Sequence, residues 1–76
     1  MKRYFFDRVS CERAEYDFRG REFSNPEAAH QLAEIIALDL GLMDEGGWCG
    51  WSIKVRNAIG QQLFLVPVPE AAPMAG

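Results

Sequence analysis

The sequence predicts an α+β fold with the order ββαββ. One amphipathic helix packs on one face of a four-stranded, mainly antiparallel sheet. Three observations predict it. Two extended, aromatic-bearing segments near the N-terminus are separated by a short polar stretch. A long alanine-rich segment with helical periodicity follows, opened by Ser24-Asn25-Pro26-Glu27. Two further strand-like segments are then joined by Asn57-Ala58-Ile59-Gly60.

Residues 3 to 9 (Arg-Tyr-Phe-Phe-Asp-Arg-Val) contain no glycine or proline and read as the first strand. Residues 10 to 14 turn the chain, and Glu15-Tyr16-Asp17-Phe18 alternates polar with apolar as a second strand. Arg19-Gly20 closes this hairpin. The helix has two possible starts. Ser24 caps with Glu27 reaching back, or Asn25 caps with Pro26 as the first helical residue. From Glu27 to Met43, a step of about 100° per residue gathers Ala28, Ala29, Leu32, Ala33, Ile36, Leu40 and Met43 on one face. Glu27, His30, Gln31 and Glu34 lie opposite, and Asp44-Glu45-Gly46-Gly47 ends the helix. The third strand, Trp51 to Asn57, turns at residues 57–60 into a fourth, Gln61 to Val68. Pro67 and Pro69 stop its ladder. Residues 1–68 are expected to form the domain and residues 69–76 a flexible Pro/Ala-rich tail.

Alternation assigns the faces. Tyr4, Phe6, Tyr16, Phe18, Trp51, Ile53 and Val55 are expected under the helix, with Arg3, Asp7, Glu15, Asp17, Lys54 and Arg56 outward. The first and last of the four strands are apolar on both faces, which suits central places and gives a spatial order of 2-1-4-3.

Composition narrows the function. A chain of 76 residues makes one domain and buries only about 60–65% of its unfolded surface. No apolar run resembles a signal peptide or a membrane span, so a cytoplasmic protein is expected. Six of the eight basic residues lie in positions 2 to 21, whereas residues 22 to 53 carry only acids and the chain has a net charge of −3. That balance argues against a nucleic-acid partner. Cys11, Cys49 and the single His30 are too few for a zinc site or a disulfide framework. No cofactor, metal or catalytic constellation is expected.

Four features stand as candidate sites. The Trp48-Cys49-Gly50-Trp51 corner, with Cys49-Gly50-Trp51-Ser52 as a C-x-x-S arrangement, resembles the motif of small thiol enzymes. However, Cys49 is followed by a strand pattern, and no helix N-terminus is there to lower its pKa, so it reads as structural. His30 lies on the polar helix face beside Glu34 and reads as solvated. Asp39 falls inside the apolar arc, where it is expected to pair with an arginine of the first hairpin. Leu38 falls among polar residues, and Phe5 points outward on the sheet. The last strand adds either Leu63 and Leu65 or Phe64 and Val66 to that face. Phe5, Leu38, Leu63 and Leu65 are therefore taken as the candidate partner interface, and a homodimer is the expected use.

The order of motifs resembles an uncharacterised bacterial family of short proteins known only as a domain of unknown function. The opening Arg3-Tyr4-Phe5-Phe6-Asp7 carries the likeness, with Asp17, Gly20 and Glu22, then the alanine-rich helix from Glu27-Ala28-Ala29 to Leu40. Trp51, Val55, Gly60 and Leu63 to Pro67 complete it, over roughly residues 2 to 68. Ser10-Cys11-Glu12-Arg13 and Phe23-Ser24-Asn25 depart from the pattern. The resemblance implies the ββαββ layout and no catalytic residues. Asp17 to Glu34 is also similar to HicB-type antitoxins, although residues 69 to 76 are too short to supply a DNA-binding segment. The expected function is a non-enzymatic interaction module that self-associates. The alternatives are an antitoxin-type protein that occludes its partner, or a thiol-dependent or ligand-binding protein using the Trp48–Trp51 corner.

Overall fold

A computed structural model describes residues 1–42 and 50–69. The elements are β1 (Lys2–Val9), β2 (Ala14–Glu15), β3 (Arg21–Phe23), α1 (Pro26–Leu42), β4 (Ser52–Asn57) and β5 (Gln62–Pro67). The class is α+β, with one helix among the described residues lying against an antiparallel sheet. Among the described residues the sheet has five strands rather than four, because the expected second strand is cut short at Glu15 and a further strand, not expected, forms at Arg21–Phe23. Arg8 and Val9 pair with Glu15 and Ala14, and β3 then returns to pair Tyr4 with Arg21 and Lys2 with Phe23. Residues 16–20 bulge off the edge between these pairings. Tyr16 and Phe18, expected beneath the helix, are 56% and 88% exposed as a result.

The strands lie in the order β2-β1-β4-β5, with β3 also on β1. The expected 2-1-4-3 order is therefore wrong in its last two places. β4 is central, with Phe6 opposite Val55 on one side and Phe64 opposite Val55 on the other, while β5 forms the edge. The polar positions of β4 suggested an edge strand, but Lys54 and Arg56 lie on the face away from the helix. There they sit opposite Asp7 and Phe5.

Local choices are resolved by hydrogen bonds. Asn25 caps α1, its Oδ1 accepting the Ala28 N–H at 2.9 Å, with Pro26 first in the helix. The turn between β4 and β5 is tied by Asn57, whose Oδ1 accepts the N–H of Ile59 at 3.2 Å and of Gln61 at 2.8 Å. The face of α1 laid on the sheet is unusually small. Ala29, Ala33 and Ala37 are spaced one per turn and almost wholly buried, together with Leu40. Methyl groups let the helix backbone sit close over Ile53 and Val55, whose full burial is worth about 1.5–3 kcal/mol each. Leu32 and Ile36 flank this contact, and Phe23 packs against Tyr4 and Phe6 with ring centroids 6.2 Å apart in each case. The helix is thus rolled toward Ala37 and Gly41 relative to the expected face. That roll carries Asp39 into solvent, where it pairs with no arginine among the described residues.

The chain stays docked past β5. The Val68 N–H donates to the Trp51 carbonyl at 2.8 Å, and Val68 is buried. A Cβ on Gly41 would lie 2.8 Å from the Pro69 carbonyl oxygen. Pro69 therefore belongs to the packed domain, and the rest of the expected tail lies outside the described residues. Alanine is favoured over glycine inside a helix by about 1 kcal/mol, so Gly41→Ala would stabilise an unobstructed helix. The expected outcome is instead a fall in the melting temperature and a net loss of about 1 kcal/mol or more. A rise on thermal denaturation would show that Pro69 does not press on the helix.

Candidate functional site

Asp7 is the only charged or polar residue wholly buried among the described residues. It lies on the sheet face away from α1, where an outward position was expected. Two partners accompany it. Arg56 Nε donates to Asp7 Oδ2 at 2.7 Å, and the backbone N–H of Asp17 donates to Asp7 Oδ1 at 2.9 Å. The same guanidinium reaches on through Nη2 to the Asp17 carbonyl at 3.0 Å, and its Cζ lies 4.5 Å over the ring of Phe5. Asp17 repeats the device one step out. Its carboxylate accepts the N–H groups of Phe6, Arg19 and Gly20 at 3.0 to 3.2 Å. The carboxylate thus takes the place of a strand carbonyl on the β1 edge, which is why the second strand stops at Glu15. Gly20 completes the loop at φ 69°, where a Cβ would meet the Tyr4 carbonyl at 2.8 Å. Partial burial pushes the Asp17 carboxyl up. The N–H groups of Arg19, Gly20 and Phe6, with the Arg56 charge, outweigh it and hold the pKa below the usual carboxylate value.

The bulged loop leaves a groove between itself and the helix flank. This groove has a volume of about 640 Å³, and Phe6, Leu32 and Ile36 supply its apolar surface. Arg8, Arg19 and Arg21 stand around it with Tyr16 and Glu15. Glu15 lies 3.9 Å from Arg8, and the Asp17 carboxylate is turned into the loop. Arg19 and Arg21 are exposed and have no ion pair among the described residues. Around the helix from this groove runs a second apolar surface. Ile35, Leu38 and Leu42 are 58%, 55% and 77% exposed, and with Gln31 they recur at 4-3-4 spacing. That is the a/d spacing of a helix seam.

The four expected interface residues do not form one patch. Phe5 is half-buried beneath Arg56. Leu63 is the extra residue of a bulge between Val55 and Arg56 and packs on the core. Leu65 pairs with Lys54 and is exposed on the face away from α1, whereas Leu38 lies on the far side of the helix. Ile35 and Leu42 escaped the sequence reading, although their 3-4 spacing with Leu38 was the available signal. His30 is not simply solvated: its ring lies 4.6 Å from that of Phe64, and Nδ1 is 3.5 Å from Glu34 Oε1. Cys11 is exposed and free. Trp48 and Cys49 lie outside the described residues. The chain after Gly50 enters β4 rather than a helix, so no helix N-terminus follows that corner. Among the described residues no group of three His, Cys, Asp or Glu is placed to hold a metal, and no helix is long and apolar enough to cross a membrane.

Removing either carboxylate should unlock the bulged loop. Asp7→Ala strands Arg56 and the Asp17 N–H, and a loss of about 3 kcal/mol is expected in urea denaturation. Asp17→Asn should remove an increment that depends on pH. Because the folded pKa of Asp17 is depressed, its stabilisation is full at neutral pH and is lost as pH falls through the folded value, below about pH 4. The gap in urea midpoint between wild type and Asp17→Asn should therefore narrow on acidification. A gap that does not change with pH would count against the charge of Asp17.

No curated protein and no solved structure matches the chain, and nothing in these comparisons supports the likeness to HicB-type antitoxins. A family model described as a domain of unknown function, DUF6894, matches residues 3–69, from Arg3 at the head of β1 to the docked Pro69. The chain belongs to the DUF6894 family.

Proposed function

We propose that this domain is a non-enzymatic protein-interaction module whose contact surface is the outer face of α1. The observation that carries the reading is the exposed seam of Ile35, Leu38 and Leu42. Large aliphatic side chains at a/d spacing on a solvent-facing helix forgo burial that a core position would supply, and a packed partner restores it. The alanine face already satisfies the sheet, so the seam has no role in holding α1 down. Glu34 and Asp39 flank it and keep the isolated domain soluble.

The test compares wild type with Leu38→Glu by crosslinking and affinity capture from the native cells. Circular dichroism confirms that the variant is folded, as an exposed position allows. The expected outcome is that wild type retains a partner, whether another protein or itself, and that Leu38→Glu loses it at least about tenfold. Equal recovery by the two proteins would end the reading.

A further inference from the structure

We infer that the partner of this seam is a second copy of the chain, docked so that the acidic helix of each copy meets the arginine-rimmed groove of the other. The inference rests on the seam being the contact surface and adds the identity of the partner. Charge decides it. Residues 22 to 53 contain no lysine or arginine, so Glu34 and Asp39 beside the seam meet no permanent cation on their own helix, only His30 lying 3.5 Å from Glu34. Packing seam directly on seam sets these acids against their equivalents, which is repulsive. A cationic surface next to an apolar floor removes the conflict, and the groove is such a surface. Phe6, Leu32 and Ile36 supply the floor, and Arg19 and Arg21 supply positive charge with no ion pair among the described residues. The acids nearest the rim are committed elsewhere. Glu15 faces Arg8, and the Asp17 carboxylate accepts backbone N–H groups inside its loop.

Position allows the contact to close on itself. Leu32 and Ile36 belong to both the groove and the helix, one flank away from Ile35 and Asp39. Seam and groove therefore lie side by side on one surface of the molecule. A two-fold axis through that surface offers each seam to the partner's groove at once, giving a closed, isologous dimer rather than a filament.

Sedimentation velocity on the full chain tests this with two charge-reversed variants, Arg19→Glu/Arg21→Glu and Glu34→Lys/Asp39→Lys. All four positions are exposed, and circular dichroism checks that each variant folds. Wild type should dimerise, less tightly at high salt. Each variant alone should lose at least about tenfold in dimer affinity, and an equimolar mixture of the two should recover a heterodimer. Three results would overturn the inference: a wild-type monomer at every concentration, dimerisation unaffected by either reversal, or no recovery on mixing. The interaction reading fails separately. If wild type is monomeric yet Leu38→Glu still loses a captured cellular protein, the seam is a contact surface for another partner and only the second copy is excluded.

Discussion

Asp7 has no exposed surface, and the arrangement of the sheet follows from what its carboxylate requires. An ionised carboxylate in such a place is tolerated only when it is paired and hydrogen-bonded. Arg56 supplies the charge from the adjacent central strand, and the amide of Asp17 supplies a second donor from the bulged loop. One side chain thus ties β1 to β4 and anchors residues 16–20. Arg56 also covers Phe5, so this part of the outer sheet face is closed by a cation and its partners rather than by a second apolar layer. Asp17 extends the scheme by placing a carboxylate where a strand carbonyl would stand. The resulting loop turns outward and creates the groove.

The helix is the counterpart of this polar assembly. A domain of this length has little surface to bury, and it gains packing through close approach rather than bulk. Ala29, Ala33 and Ala37 bring the backbone of α1 near Ile53 and Val55, and Gly41 does the same for Pro69. Small residues on the buried face leave the large aliphatic ones elsewhere. Leu32 and Ile36 take the flank, while Ile35, Leu38 and Leu42 face solvent.

The surface is divided by charge in the same way. Basic residues of the N-terminal strands gather around the bulged loop, and acids alone accompany the helix seam. A neutral average would conceal this, since the net charge is only −3. The division matters for recognition because the groove joins apolar surface to the charges of Arg19 and Arg21, unpaired among the described residues, and the seam joins it to acids. Such pairs set partner and register more than raw affinity.

The sequence by itself determined the α+β class, the helix and its start, and the strand character of residues 3–9, 52–57 and 62–67. These rest on periodicity, capping residues and turn residues, which act over a few neighbours in the chain. Inward placement of Tyr4, Phe6, Ile53 and Val55 was legible for the same reason, since side chains alternate along a strand. Tyr16 and Phe18 obeyed that alternation and were misplaced, because Asp17 satisfies the β1 edge with a side chain and ends the strand before them. The central place of β4, the burial of Asp7 and the roll that exposes Asp39 were decided only by the tertiary structure. Each depends on a partner far away in sequence: Arg56 lies 49 residues from Asp7, and no local pattern announces that pair. The seam of Ile35, Leu38 and Leu42 was written in the sequence as a spacing. Which of two apolar helix surfaces would be covered was settled only when the alanines met the sheet.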